Sequence, residues 1–161
     1  MIGVLYRGTD AIEHVDARPI MIDGLDATDH LCQMVTALDS RCNVIMTDGI
    51  TVGGFNMLDI QTIHQRTQIP VIAVTRTDPD FDAIEDAIAD LPNTDERSRI
   101  IEHAGKVYRG TIHAAPVFFQ TAGIEQADAE SMLRQAADEA TIPEPIRAAD
   151  LIGDGLQEVI A

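Results

Sequence analysis

The run VIMTDGITVGGFN, residues 44–56, sets the reading of the whole chain. Val44 to Thr47 read as a short buried strand that delivers Asp48 and Gly49 to its own tip. A glycine-containing turn follows, and Phe55-Asn56 opens a helical pattern to Arg66 with Met57, Ile60 and Ile63 on one stripe. A strand that ends in a carboxylate with small residues after it has two readings. One is a βα turn with an acidic cap. The other is a metal or catalytic site, because ligands of open α/β sheets lie beyond the carboxyl ends of the parallel strands.

Working outward, PVIAVT (70–75) is a second buried strand, entered by Pro70, and a helix over 80–91 uses Phe81, Ile84, Ile88 and Leu91. On the N-terminal side, IGVLY (2–6) and RPIMI (18–22) read as an antiparallel pair. Residues 26–38 then carry Leu31, Met34, Val35 and Leu38 at helical spacing, with Asp26 as N-cap. Beyond Pro92 the pattern gives a helix at 94–104, strands at 106–112 and 115–121, and a helix at 125–140. IPEP (142–145) breaks the chain before a last helix at 146–160. Strand, helix, strand, helix after an antiparallel opening predicts an α/β protein with a mixed sheet. At 161 residues it is one domain, 1–161.

The net charge of −16 comes from 27 acidic against 11 basic residues, and Lys106 is the single lysine. Segments such as DPDFDAIEDAIAD keep an apolar stripe among their carboxylates, which is how a folded domain carries excess acid. An aspartate-rich, lysine-poor surface resembles those of salt-loving archaea; the alternative is an ordinary acidic protein that avoids polyanions. Cys32 and Cys42 form no metal-binding or redox spacing and read as free thiols. No apolar run reaches membrane-helix length, and MIGVLYRGTD lacks the features of a signal peptide, so no membrane partner and a cytoplasmic location are expected.

Asp48, Arg76 after PVIAVT, and Asp23 and Asp26 in IDGLDAT are expected at the strand ends. Asp26 and Asp48, with Asp23, would together supply the hard oxygen ligands that Mg²⁺ or Mn²⁺ takes; as isolated residues they read first as caps and turns, and only the repeated strand–Asp–Gly arrangement sets the metal reading level with that one. Asn56, at the end of the glycine turn, falls among the candidate contacts to nucleic acid. His30, four residues after Asp26, reads as a solvated side chain or a further ligand. Arg97, Arg99, Lys106 and Arg109 lie within thirteen positions. They form either a salt-bridged surface beside Glu96 and Glu102 or a phosphate-contacting edge. Gly49, Gly53 and Gly54 match neither phosphate-loop nor dinucleotide spacing.

IDGLDATDHL, VIMTDGITVGGFNMLDI, IPVIAVTRTDPDFDAI and IPEPIRAADLI resemble segments of the endonuclease dU family, over about residues 2–160. That family is similar to endonuclease V, with a ribonuclease H-like core. The resemblance implies an antiparallel meander followed by two parallel strands, with helices on both faces, and a divalent-metal nuclease site acting on DNA or RNA. It places Asp48 at the ligand position after the fourth strand and Asp26, with Asp23 as rival, at the one before the first major helix. Asp150 stands at a C-terminal catalytic position where relatives carry histidine. It also implies a first strand ahead of IGVLYRG, bearing glycine and acidic residues. Without it a slot would open at the centre of the sheet, to be covered by an upstream segment or by a homodimer. A non-catalytic nucleic-acid binder and a phosphate-binding α/β protein are the competing readings.

At about 1 M salt the Debye length is only about 3 Å, so the self-repulsion of such a surface is screened. If the surface is a salt adaptation, the thermal midpoint should rise from dilute buffer to molar KCl. An unchanged or lower midpoint would assign the charge another role.

Overall fold

The computed structural model of the chain describes residues 1–8 and 10–160, the side chains of 157–160 excepted. It begins with β1 (Ile2–Arg7) and β2 (Ala11–Ala17), continues through α1 (Ala27–Thr36) to β3 (Ile45–Asp48), then makes the small hairpin β4 (Thr51–Val52) and β5 (Asn56–Met57). The helix α2 (Ile60–Thr67), strand β6 (Val71–Thr75) and helices α3 (Phe81–Ile88) and α4 (Thr94–Ala104) follow. The antiparallel pair β7 (Tyr108–Ile112) and β8 (Ala115–Ala122) leads to α5 (Gln126–Ala136) and α6 (Glu144–Ile160).

The main sheet has the order β3-β6-β8-β7. β3 and β6 are parallel, while β8 lies antiparallel to both β6 and β7. From Val71 to Val74 every residue of β6 is buried, as expected of a strand covered on both faces. One face packs Val71 and Ala73 against Ile60 and Ile63 of α2, Ile88 of α3 and Ile101 of α4. The other packs Ile72 and Val74 against Phe119, Leu133 of α5 and Ile146 of α6. Each such fully buried aliphatic side chain contributes about 1.5–3 kcal/mol. The result is a single α/β domain with a mixed sheet and helices on both faces, as expected.

Three local expectations differ. The partner of β1 is AIEHVDA (11–17), while RPIMI is a loop with Met21 and Ile22 64% and 80% exposed. β2 is solvent-facing along most of its length, so it lacks the apolar run that marks a buried strand, and Pro19 disfavours a ladder at 18–22. The helix expected from Phe55 begins at Ile60, because Thr51–Val52 pairs with Asn56–Met57 first. Asp59 then caps α2, accepting from Thr62 N at 3.0 Å. The last helix starts at Glu144 and holds Pro145 in its first turn, where a missing N–H does no harm.

Among the described residues, β1 pairs on one side with β2, β3 pairs on one side with β6, and no strand joins them. Between their facing edges lies a cleft of about 1000 Å³, lined by Ile2, Val4, Met34, Val35, Ile45, Met46, Ala149 and Asp150 among others. Helix α6 packs against both β1 and β3 and so bridges the gap. The slot implied by the family resemblance is present.

Two outcomes follow from this architecture. The amides of Ile45 and Gly49 donate to Pro70 and Val74, so those of Met46 and Asp48 point into the cleft. The latter pair should exchange with solvent at least about 100-fold faster than the former. Equal protection would mean that hydrogen bonds already close the gap. The second outcome concerns Asp59, which is 4% exposed. Burial tends to raise its carboxyl, but the Thr62 N–H and the His103 ring outweigh this and hold it below its ordinary value. A depressed folded pKa stabilises the fold above the unfolded value of about 3.9, and that contribution is lost as pH falls through the folded value. Asp59→Asn keeps a capping oxygen, so it should flatten the acid limb of the stability curve below about pH 4 with little cost from the cap itself. An unchanged acid limb would count against a stabilising Asp59 carboxylate.

Candidate active site

Asp48 is solvent-exposed at the tip of β3, and Gly49 turns the chain at φ 67°, a left-handed conformation that costs glycine little. Asp150, on the exposed side of α6, lies within electrostatic reach of it. Burial lifts the Asp150 carboxyl above its ordinary value, the negative charges of Asp48 and Asp154 add to the rise, and Arg76 opposes it. The end of β3 and the end of β6 thus put Asp48 and Arg76 within electrostatic reach of Asp150 on α6.

Asp26 stands at the start of α1 but does not cap it with its side chain. Its carboxylate instead accepts from the Asn56 amide and from Met21 N at 3.3 Å, and His30 Nε2 lies 3.5 Å away. The Asn56 bond, together with Met21 N, holds the Asp26 carboxyl below its ordinary value against a smaller desolvation effect. Asp26 lies near Met1, which lines the same cleft as Asp48 and Asp150. Met21 and Ile22 project into solvent beside it.

Asp23 is committed elsewhere. Its Oδ1 accepts from Phe55 N at 2.8 Å, and its own N–H donates to Gly53 O at 3.0 Å. Gly54 makes this possible: at φ 78° it takes a backbone conformation that side chains rarely adopt, and a Cβ there would overlap Asp23 Oδ1. Asp23 is thus a turn residue through its Oδ1, while the Asp26 carboxylate is held by Asn56, Met21 and His30.

Two expected nucleic-acid contacts are corrected by burial. Asn56 is 0% exposed; its amide oxygen accepts from Ala27 N at 3.1 Å and its NH₂ donates to Met21 O at 2.9 Å and to Asp26. Arg97 is 1% exposed and donates to the carbonyls of Asp23, Gly24, Phe55 and Pro92. Neither can reach a phosphate. Arg99 is exposed but spends itself on Glu96 and, at 3.6 Å, on Asp59. Lys106 sits 5.3 Å above the Tyr108 ring, and Arg109 lies on β7. That strand is three places from β3, about 14 Å at about 4.8 Å per strand. The basic cluster is therefore not one edge beside the carboxylates, whereas Arg76 is. Cys32 and Cys42 are free, as expected, and burial pushes both thiols up.

Among the described residues no three His, Cys, Asp or Glu side chains converge closely enough to hold an ion. The donor set still suits a hard cation: Mg²⁺ is commonly held by one or two carboxylates plus waters and substrate phosphate, and Asp48 with Asp150 offers that pair. The signal for the Asp150 pairing was weak in sequence, because 102 positions separate the two residues.

The model of the family described as endonuclease dU matches residues 1–157. A UPF0215 protein of Methanosarcina barkeri is 39% identical over 158 residues, covering 97% of this chain and 81% of its relative. A solved protein of unknown function from Archaeoglobus fulgidus superposes with a TM-score of 0.90 at 35% identity, over 96% of this chain and 88% of the other. Endonuclease V of Ciona intestinalis, solved with an inosine-containing DNA, gives a TM-score of 0.55 at 14% identity, over 93% and 74% of the two chains. That likeness establishes a shared fold, the ribonuclease H-like one. With the cleft, the strand-end carboxylates and the matched segments in agreement, this chain belongs to the endonuclease dU family.

Proposed function

We propose that this chain is a divalent-metal-dependent endonuclease of the cytoplasm that cuts nucleic acid at deaminated bases. The observation that carries the reading is the meeting of Asp48 and Asp150 beside Arg76, at the carboxyl ends of two parallel strands. The family description and the inosine-containing DNA bound by the Ciona enzyme support the choice of substrate.

Mg²⁺ or Mn²⁺ would be held by Asp48 and Asp150, with Asp26 as the third candidate, and when bound would activate a water and offset charge developing on the phosphodiester. The chain's own residues do the rest. Arg76 binds a phosphate oxygen through charge-assisted hydrogen bonds. Asn56 keeps Asp26 ionised and fixed in direction. Exposed Met21 and Ile22 offer an apolar contact to a base that has left its stack, as inserted apolar side chains do elsewhere. Burial, and before metal binds the repulsion of Asp48, make Asp150 keep its proton to a higher pH than an ordinary aspartate.

Asp48→Asn removes that repulsion and should leave stability unchanged or slightly higher. The same change should weaken Mn²⁺ binding and cleavage of uracil- or inosine-containing strands by at least about 100-fold, at the upper end of what outer-shell changes cost a metal site. Calorimetry and strand-cleavage assays on both proteins in high salt make the comparison, and equal Mn²⁺ affinity would reduce Asp48 to a turn residue. A second reading, a non-catalytic nucleic-acid binder, draws on the lack of three converging ligands among the described residues. Its signature would be wild-type binding of uracil- or inosine-containing strands in Mn²⁺ without any cleavage.

A further inference from the structure

Among the described residues Arg97 is the largest fully buried side chain, and every acceptor it meets there is a backbone carbonyl. An arginine buried this far ordinarily faces a carboxylate, since an unpaired buried charge is costly. Here the guanidinium reads the shape of the backbone instead. Its Nη1 donates to Gly24 O at 3.1 Å and to Phe55 O, its Nη2 to Asp23 O, and its Nε to Pro92 O at 3.3 Å. One planar group on α4 thus ties the loop that carries Asp23 and Asp26 to the turn that carries Asn56.

We propose that Arg97 is the positioning residue of the Asp26 carboxylate. The route is short. Arg97 fixes the carbonyls at 23, 24 and 55; the clasp so formed sets Asn56, which neighbours Phe55. The Asn56 amide then spans Met21 O, Asp26 and Ala27 N, and so aims the carboxylate. A lysine could hold the charge but not the fork, because its ammonium is a compact point charge without the planar donor geometry that several divergent carbonyls require.

The role in metal binding rests on the reading of Asp26 as a ligand, whereas the clasp itself does not. The test therefore has two arms, run on the full chain. In Arg97→Lys, Mn²⁺ affinity should fall about 10- to 100-fold, the range for a residue that orients a metal ligand. The amides of Phe55 and Ala27 should lose protection while those of β6 keep theirs. Leu133→Ala, a cavity on the opposite face of the sheet, serves as the control matched in melting temperature; it should change neither readout. If Arg97→Lys lowers protection uniformly and leaves Mn²⁺ affinity intact, Arg97 is only a core residue and the proposal fails. If the wild type binds no Mn²⁺, the metal reading fails, and the exchange arm still decides the clasp. Should Arg97→Lys not fold, the wild type decides: Arg97 Nε–H, Phe55 and Ala27 amides should exchange as one unit, and separate rates would overturn the proposal.

Discussion

The site depends on a clasp between two stretches distant in sequence, the loop at 21–26 and the turn at 53–56. Asn56 and Arg97 hold it, and both are withdrawn from solvent. Such an arrangement is all-or-nothing. A buried amide or guanidinium with half its hydrogen bonds unmade costs more than an apolar side chain in its place. The glycines are part of the same constraint. Gly54 must accept Asp23 Oδ1 where a Cβ would stand, and Gly24 must fit against Met21. The loop therefore has one low-energy arrangement, and that arrangement presents Asp26 outward with Met21 and Ile22 beside it.

The cleft between β1 and β3 places an opposite demand on the fold. Among the described residues two strand edges face each other without a strand between them, which is a costly way to leave backbone groups. Helix α6 spans the gap: Gly153 lies against Ile2 at one end, and Ile146 packs into the core beyond β3. Because α6 must bridge both strands, its middle turn falls over the end of β3, and Asp150 is carried to Asp48. The pairing of those two carboxylates is thus a consequence of how the two halves of the fold are joined.

Much of this was legible before the structure. β3 and β6 carried period and length together and lie where expected; beyond Pro92 the pattern is weaker, and the helices expected at 94–104 and 125–140 lie at Thr94–Ala104 and Gln126–Ala136. What failed had a physical cause in each case. β2 is exposed along most of its length, so burial left no mark on its sequence, while RPIMI carries apolar Met21 and Ile22 that are not buried. Phe55, Met57 and Leu58 fall in a helical pattern, yet the two glycines before them close a hairpin. For the site, Asp48, Asp26 and Arg76 were visible as polar residues where apolar runs end. Asn56 and Arg97 were visible only as polar residues, and nothing in composition separates a guanidinium that meets phosphate from one that meets carbonyls. Only the burial does.

The charge of the chain and its proposed substrate then have to be reconciled. With −16 overall, the surface repels a polyanion, and phosphate contacts ordinarily come from clustered Lys and Arg. Of the basic side chains expected to meet nucleic acid, Arg97 lies in the core, Arg99 is neutralised by Glu96 and Asp59, and Arg109 is about three strands away. Arg76 remains beside the carboxylates. A single guanidinium cannot offset the field of the whole protein in dilute solution, where the Debye length reaches about 30 Å at about 0.01 M. At molar salt the same field dies within about 3 Å, and close contacts decide. The proposed chemistry and the acidic surface are therefore compatible in one regime only, where long-range electrostatics is already screened and affinity comes from groups touching the strand.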